Sequence, residues 1–156
     1  MNDAPPAADA PTGALLRQCR VLLVEDGVDN QRLISFYLRK AGADVAIAEN
    51  GRQACDMVLD PGAWTTYDVI LMDMQMPEMD GYEASIKLRS HGVVTPIIAL
   101  TARAMEGDED KCRAMGCDAY LTKPVDRDLL IRTCRDTLDR RRTLDGRTAR
   151  GGDRCA

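Results

Sequence analysis

The sequence predicts an α/β domain in which five parallel strands form a doubly wound sheet, with five helices on its two faces. Short apolar runs alternate five times with segments of helical periodicity along the chain. Each run holds four to six residues that are mostly Val, Ile, Leu and Ala, which is typical of strands that are buried on both faces of a parallel sheet. Alternation of strands and helices implies right-handed crossovers between parallel strands. The first strand is expected to lie centrally in the sheet.

The apolar runs are the predicted strands, and Val, Ile, Leu and Ala dominate them. They cover residues 19–26, 43–49, 67–73, 95–102 and 119–124. Aromatic residues make up only 4% of a chain whose hydrophobic content is 45%. The core must therefore be built from aliphatic side chains and methionine.

Helices are predicted between and after these strands. The first covers residues 29–42, and its apolar residues recur at helical spacing: Leu33, Ile34, Tyr37, Leu38 and Ala41. We expect Asp29 or Asn30 to cap its start and Gly42 to end it in the left-handed conformation. The other helices are predicted around residues 51–59, 82–90, 105–115 and 126–140.

The chain of 156 residues suffices for a single domain with two short extensions. Residues 1–18 are rich in Ala, Pro, Asp and Thr, which predicts a flexible leader or linker. The domain itself is expected to span residues 19–139. Residues 140–156 are rich in Arg and Gly, which predicts a disordered tail.

Charge and composition argue against several classes of function. The formal net charge of −4 argues against direct contact with nucleic acid. No apolar run approaches the roughly 18 residues that a membrane span needs, and the start of the chain lacks the features of a secretory signal. The six cysteines include no CxxC pair, which favours reduced thiols in a cytoplasmic protein.

Polar residues end four of the five predicted strands. The first strand ends in Glu25 and Asp26, the third in Asp73, the fourth near Thr101 and the fifth near Lys123. Because the carboxyl ends of parallel strands meet at one edge of the sheet, these side chains are expected to converge. Each has an ordinary alternative, such as a helix cap, a turn cap or a surface lysine. Those alternatives would have to coincide at four strand ends, which favours a functional site.

Three carboxylates, a hydroxyl and a lysine in one place indicate a particular chemistry. Neighbouring carboxylates repel one another unless a cation neutralises them, and an all-oxygen ligand set favours Mg²⁺ before Ca²⁺. Lys123 suits a phosphoryl oxygen as a point charge, and the Thr101 hydroxyl can donate to the same group. Together these are the parts needed to form an acyl phosphate on a carboxylate.

Four motifs resemble those of the response-regulator receiver family, in the same order and at suitable spacing. They are VLLVEDGVDNQRL, DVILMDMQMPEMDGYEA, PIIALTA and AYLTKP, and the resemblance covers about residues 19–138. It implies a flavodoxin-like fold and the Mg²⁺-dependent transfer of a phosphoryl group from a partner's phosphohistidine to Asp73. It also implies that the domain catalyses its own phosphorylation and dephosphorylation.

The resemblance implies which residues would hold the magnesium ion. Asp26 and Asp73 would bind it directly, together with the backbone carbonyl of Gln75, while Glu25 would act largely through water. The acidic pair is Glu-Asp rather than Asp-Asp, a variant that still supplies both charges.

The same family pattern implies how the phosphoryl group is held. Thr101 and Lys123 would contact it, and the backbone amides of Met74 and Ala102 would complete its cradle. The bond between Lys123 and Pro124 is expected to be cis.

Tyr120 occupies the position of the family's switch aromatic. Phosphorylation would draw Thr101 toward the phosphate and let Tyr120 turn inward, which would change the surface of the fourth helix, fifth strand and fifth helix. A half-buried tyrosine with a fixed rotamer is the alternative. Arg103 flanks the site and is expected to face solvent.

Two classes of parent protein remain open. In the first, the chain is a binding and relay module whose partner is a histidine kinase or a histidine-containing phosphotransfer protein. In the second, it is the receiver of a hybrid sensor histidine kinase, which MDMQMPEMDGYEA and the leader most resemble, and the parent is an enzyme. A transcription factor is disfavoured because no helix-turn-helix follows the fifth helix. A phosphatase of the acyl-aspartate type is disfavoured because Gln75 stands where it would usually carry an acid. Dimerisation on phosphorylation is left open.

Overall fold

The computed structural model describes residues 15–60, 67–76, 79–102 and 108–148, apart from the side chains of residue 108 and residues 142–148. The strands are β1 (Arg20–Val24), β2 (Asp44–Ala48), β3 (Val69–Asp73), β4 (Ile97–Thr101) and β5 (Ala119–Thr122). The helices are α1 (Val28–Lys40), α2 (Gly51–Leu59), α3 (Gly81–Ser90), α4 (Asp108–Ala114) and α5 (Arg127–Thr148). All the predicted strands and helices are present.

The strands form one parallel sheet in the order β2-β1-β3-β4-β5. This order confirms the predicted doubly wound, flavodoxin-like sheet and the central position of the first strand. The direction of winding reverses between β1 and β3, and the connections that leave these two strands diverge. A crevice therefore opens at their carboxyl ends, which is where ligands bind in sheets of this kind.

The sheet separates two hydrophobic cores. Leu23 and Leu71 face the core that α1 and α5 cover. Leu22 and Ile70 face the other core, which α2, α3 and α4 cover. All four side chains are fully buried. Successive strand residues thus enter different apolar cores, which explains why the strands are apolar without alternation.

The helix ends follow local sequence, with one exception. Asp80 caps α3 in a capping box with Glu83, and Gly42 adopts a φ of +100° after α1, as predicted. The predicted cap of α1 by Asp29 or Asn30 is wrong. Gly27 is the N-cap residue and no side chain caps this helix, because Asn30 lies within its first turn and donates toward the site instead.

The end of the predicted leader belongs to the folded domain. Leu16 is 1% exposed and packs in the core beside α1 and α5. Its N–H donates to the carbonyl of Ala41 at 2.9 Å, and the carbonyl of Leu15 accepts from Arg135 Nη1 at 3.0 Å. The boundary predicted at residue 18 therefore lies too late in the chain, because the two leucines bury apolar surface.

The helix α5 continues to Thr148, beyond its predicted end near residue 140. Residues 140–148 of the predicted tail are therefore helical. The run of arginines that suggested a disordered tail consists of good helix formers, so it extends the helix that the core starts.

The cysteines of the described residues are reduced, as predicted, and all of them are buried. They are Cys19, Cys55, Cys112, Cys117 and Cys134. Burial raises the pKa of the Cys117 thiol to about 11, so it is an unreactive apolar group at neutral pH. Cys155 lies outside the described residues. Among the helices of the described part, none combines the length and apolarity that crossing a bilayer requires.

We predict that Leu16→Ala destabilises the fold although residue 16 precedes every strand. Removing a fully buried leucine side chain is expected to lower the free energy of unfolding by about 3 kcal/mol. The matched control is Leu33→Ala on α1, where the side chain is 43% exposed. Urea unfolding followed by circular dichroism would compare them, and equal losses in the two variants would contradict the packing described for Leu16.

Candidate functional site

Three acids converge at the carboxyl ends of β1 and β3. Glu25 and Asp26 follow β1 directly, and Asp73 is the last residue of β3. One carboxylate oxygen from each lies within 4.8 Å of the others. Glu25 and Asp73 are buried, while Asp26 is exposed. The structure thus brings together the three acids singled out in the sequence, in the crevice that the strand order creates.

Lys123 lies between two of these acids. Its Nζ atom donates to Asp73 Oδ2 at 2.9 Å and forms an ion pair with Glu25 Oε1 at 2.8 Å. The backbone N–H of Lys123 donates to the carbonyl of Thr101 at 2.7 Å, which holds the end of β5 beside the end of β4. The bond between Lys123 and Pro124 is cis, as predicted. Lys123 follows β5, and its ammonium group reaches past β4 to contact the acids at the carboxyl ends of β1 and β3.

The charges of the site are only partly balanced. Burial raises the pKa of the Asp73 carboxyl, although the hydrogen bond from the Gln75 N–H and the contact with Lys123 act to lower it. Burial acts to lower the pKa of Lys123, but its contacts with Glu25 and Asp73 outweigh burial and raise it. Lys123 therefore stays charged, and one ammonium does not fully offset the loss of water around Asp73. The site favours additional positive charge.

The backbone amides after Asp73 have partners within the protein, and the phosphoryl cradle that includes Met74 stays a prediction. The N–H of Met74, predicted to bind the phosphoryl group, donates to the carbonyl of Leu100 at 2.9 Å and so continues the pairing of β3 with β4. The N–H of Gln75 instead donates to Asp73 Oδ1 at 3.0 Å. Because sheet pairing already uses the Met74 amide, Gln75 is the residue after Asp73 whose amide faces the carboxylate.

The remaining predicted residues lie along β4 and β5. Thr101 is buried at the end of β4, and Ala102 is exposed directly after it. Tyr120 is half-buried in β5, where it pairs with Ala99 and packs against the core under α2, α3 and α4. Its role as a switch stays a prediction. Arg103 lies outside the described residues.

Three residues of the site neighbourhood were missed by sequence reasoning. The side chain of Gln31 donates from Nε2 to the carbonyl of Glu25 at 2.6 Å, and Asn30 Nδ2 lies 3.4 Å from Glu25 Oε2. At the other acid, Gly81 begins α3 so close to β3 that a Cβ atom there would meet the carbonyl of Asp73. Gln31 and Asn30 could have been identified from the sequence, because two residues with amide side chains lie in the first helical turn after the acidic pair.

The donor set fits a hard divalent cation. Three carboxylates meet with one ammonium among them, and the described residues bring no imidazole or thiolate into the cluster. Glu25 Oε1 is buried and accepts no hydrogen bond of good geometry in the described part of the chain, although Lys123 lies beside it. An oxygen-only set with spare acceptor capacity and excess negative charge suits Mg²⁺.

Sheet order and the position of the acids at its switch point define the class of protein, which is a receiver domain. The chain belongs to the response regulator receiver domain family, whose family profile matches residues 21–135. It is a receiver domain of a two-component phosphorelay.

Relatives include both long kinases and short regulators. The chain is 39% identical over 160 residues to Histidine kinase 1 of Arabidopsis thaliana, covering 81% of this chain and 13% of that protein. It is 40% identical over 116 residues to Two-component response regulator ORR41 of Oryza sativa subsp. japonica, covering 73% of this chain and 90% of that protein. The chain thus spans a small part of the histidine kinases it matches and most of this regulator.

Solved structures show the same fold. The receiver domain of sensor histidine kinase PA1611 from Pseudomonas aeruginosa PAO1, which carries a magnesium ion in its active site cleft, is 38% identical with a TM-score of 0.69, covering 78% of this chain and 98% of that chain. A chain from the co-crystal structure of the Saccharomyces cerevisiae phosphotransfer protein Ypd1 with the receiver domain of Ssk1 is 30% identical with a TM-score of 0.72. The match covers 81% of this chain and 92% of that one.

We predict that Gly81→Ala destabilises the protein by displacing the segment that carries Asp73. The new methyl group would lie 2.5 Å from Met74 Cε and 2.8 Å from Met74 Cα, and backbone cannot move aside as a flexible side chain can. The expected loss of unfolding free energy is about 2 kcal/mol. Gly27→Ala is the control, since its Cβ would meet only side-chain atoms at 3.2 Å or more. Urea titration would test this, and a Gly81→Ala variant as stable as the wild type would contradict it.

Proposed function

We propose that this chain accepts a phosphoryl group on Asp73 from a phosphohistidine of a partner protein, with Mg²⁺ bound among Glu25, Asp26 and Asp73. The single observation that carries the proposal is the buried Asp73 carboxylate with Lys123 at 2.9 Å and two further acids beside it. A buried nucleophile, a fixed cation and a site that favours more positive charge are what phosphoryl transfer needs.

In the proposed reaction an oxygen of Asp73 attacks the phosphorus atom of the phosphohistidine. The new O–P bond forms as the P–N bond breaks, and the imidazole leaves with the electron pair of the broken bond and ends protonated. Lys123 stabilises the charge on the phosphoryl oxygens, and Thr101 donates its hydroxyl to one of them. The N–H of Gln75, now on Asp73 Oδ1, holds the carboxylate in orientation. Bound Mg²⁺ would supply charge neutralisation for the same oxygens.

The metal would be held mainly by Asp26 and Asp73, with the carbonyl of Gln75 as the third protein ligand. Glu25 would act through water, because Gly27 and Asn30 already donate to its Oε2 and Lys123 pairs with its Oε1. The exposure of Asp26 supports this assignment, since it leaves a side of the site open for an ion to enter.

The proposed output is a change in the surface around β5. The backbone N–H of Lys123 donates a hydrogen bond to the carbonyl of Thr101. A shift of Thr101 toward a phosphoryl group would therefore displace the end of β5. The half-buried Tyr120 lies in β5, three residues before Lys123, so its side chain could turn inward as Thr101 moves.

A second candidate is that the chain is the receiver portion of a hybrid sensor histidine kinase. The observation in its favour is the match to long histidine kinases, of which Histidine kinase 1 is covered over 13% of its length. Kinase activity would then belong to the longer protein, and Asp73 would receive the phosphoryl group from within it or pass it on. In both candidates we place the protein in the cytoplasm, which the reduced, buried cysteines of the described residues support.

The surface proposed to receive the phosphohistidine protein lies on α1. Side chains at four-residue spacing form one stripe along this helix: Val28, Arg32, Phe36 and Lys40. The stripe begins beside Gly27, at the mouth of the site. Val28 is 56% and Phe36 57% exposed, so both apolar side chains are accessible to a partner. Apolar groups interleaved with cations suit a helical partner with an apolar and acidic face around its histidine.

We predict that Asp73→Asn abolishes labelling of the chain by acetyl phosphate in the presence of Mg²⁺, because an amide does not attack phosphorus. Asp44→Asn, at an exposed position on β2, is the matched control and should label like the wild type. Phosphate-affinity electrophoresis would measure both. Chelation of Mg²⁺ should stop labelling of the wild type, and label retained by Asp73→Asn would place the acceptor elsewhere.

We predict that Val28→Ala and Phe36→Ala slow phosphotransfer from a phosphorylated histidine phosphotransfer protein by about tenfold each, as expected for apolar anchors of an interface. Labelling by acetyl phosphate should not change, because neither apolar side chain carries a group that can bind the metal ion or the phosphoryl group. Ile86→Ala on α3, where the side chain is 49% exposed, is the control. Equal transfer rates to all three variants and the wild type would show that docking occurs on another surface.

A further inference from the structure

Glu25 is held more tightly than either of the other two acids, and α1 does the holding. Its backbone carbonyl accepts a hydrogen bond of 2.6 Å from Gln31 Nε2. Its Oε2 atom accepts from the N–H of Gly27 at 3.0 Å and, at 3.4 Å, from Asn30 Nδ2. These contacts leave Oε1 directed toward Lys123 at 2.8 Å. Gly27, the N-cap of α1, and Asn30 in its first turn thus orient the Glu25 carboxylate, while Gln31 holds the backbone of the same residue.

The position of Glu25 in turn determines how Lys123 is shared. The ammonium lies 2.8 Å from Glu25 Oε1 and 2.9 Å from Asp73 Oδ2, so neither carboxylate holds it alone. If Glu25 moved away, Lys123 would pair with Asp73 alone. A stronger contact with Asp73 would make its carboxylate oxygen less available to attack phosphorus. A shared lysine leaves Asp73 available as a nucleophile and stays within reach of an arriving phosphoryl group.

Gln31 makes the shortest of the contacts that hold Glu25, and its own backbone is anchored. Its N–H donates to the carbonyl of Gly27 at 2.9 Å, the first bond of α1, while its side chain returns to Glu25, the residue directly after β1. The Gln31 side chain thus links the first turn of α1 to Glu25. Asn30 adds a longer contact from the neighbouring position.

We propose that Gln31 is a positioning residue for phosphoryl transfer: through Glu25 it keeps Lys123 divided between two carboxylates. Asn30 assists it. The inference rests on the proposed transfer to Asp73 and adds that α1 controls its rate through Glu25. The side chain of Gln31 donates to the backbone carbonyl of Glu25, so its effect on transfer is expected to pass through Glu25.

The test uses Gln31→Met in the full chain, which keeps the length of the side chain and removes the donor. At saturating Mg²⁺ and acetyl phosphate, we expect labelling of Asp73 to slow by about five- to tenfold, the scale of a small misplacement of a catalytic group. Asn30→Ala should slow it less. Leu33→Ala, two positions further along α1 where the side chain is 43% exposed, is the matched control and should label at the wild-type rate.

A double-mutant cycle separates positioning from a structural role. In a Glu25→Ala background, Gln31→Met should change the rate by less than about twofold, because residues that act through one partner are not additive. If the full loss persisted in that background, or if Gln31→Met labelled at the wild-type rate, the inference would be overturned. Thermal unfolding of each variant should stay close to the wild type; a loss of rate that followed a loss of stability would also overturn it.

The two proposals fail in different ways. Asp73→Asn that still accepts the label would overturn the proposed acceptor whatever Gln31 does. Loss of label in Asp73→Asn together with full additivity between Gln31 and Glu25 would leave the acceptor intact and remove only the role of Gln31.

Discussion

The contact of Lys123 with two buried carboxylates is the interaction on which the site depends. Glu25 directly follows β1 and Asp73 ends β3, two strands that lie side by side in the sheet, and both residues lose most of their contact with water. Two such charges a few ångströms apart would repel one another strongly in a medium of low polarity. The ammonium at 2.8 and 2.9 Å makes their proximity tolerable and at the same time leaves the cluster acidic enough to attract a divalent cation.

The rest of the fold can be understood as the means of holding that contact. Lys123 comes from the opposite half of the sheet, and its backbone bond to Thr101 fixes the height at which its side chain enters. Gly81 lets α3 start directly against the end of β3, and Gln31 ties α1 to the end of β1. Each of the strands that meet at the crevice is therefore secured at its carboxyl end by a separate contact, while the apolar strand residues hold the sheet itself between two cores.

The fold could be predicted from the sequence because the hydrophobic pattern of each strand and helix is local. Five apolar runs and the helical periodicity between them predicted every element, and Gly42 ended α1 as its lack of a side chain allows. Predictions that depended on distant neighbours were less accurate. Asn30 was expected to cap α1 but turns to Glu25, and Leu16 was assigned to a leader but fills a gap beside α1 and α5. The α5 end was placed too early, because composition alone does not distinguish an arginine-rich helix from a tail.

The sequence by itself determined which residues could form the site, since acids, a hydroxyl and a lysine at the ends of parallel strands must meet at one edge. Only the tertiary structure decided how they meet. It showed that Lys123 divides its contact between Glu25 and Asp73, and that the amide facing Asp73 belongs to Gln75 because sheet pairing uses that of Met74. Such choices depend on distances and angles between separate strands, which are set when the cores pack and which strand order alone does not encode.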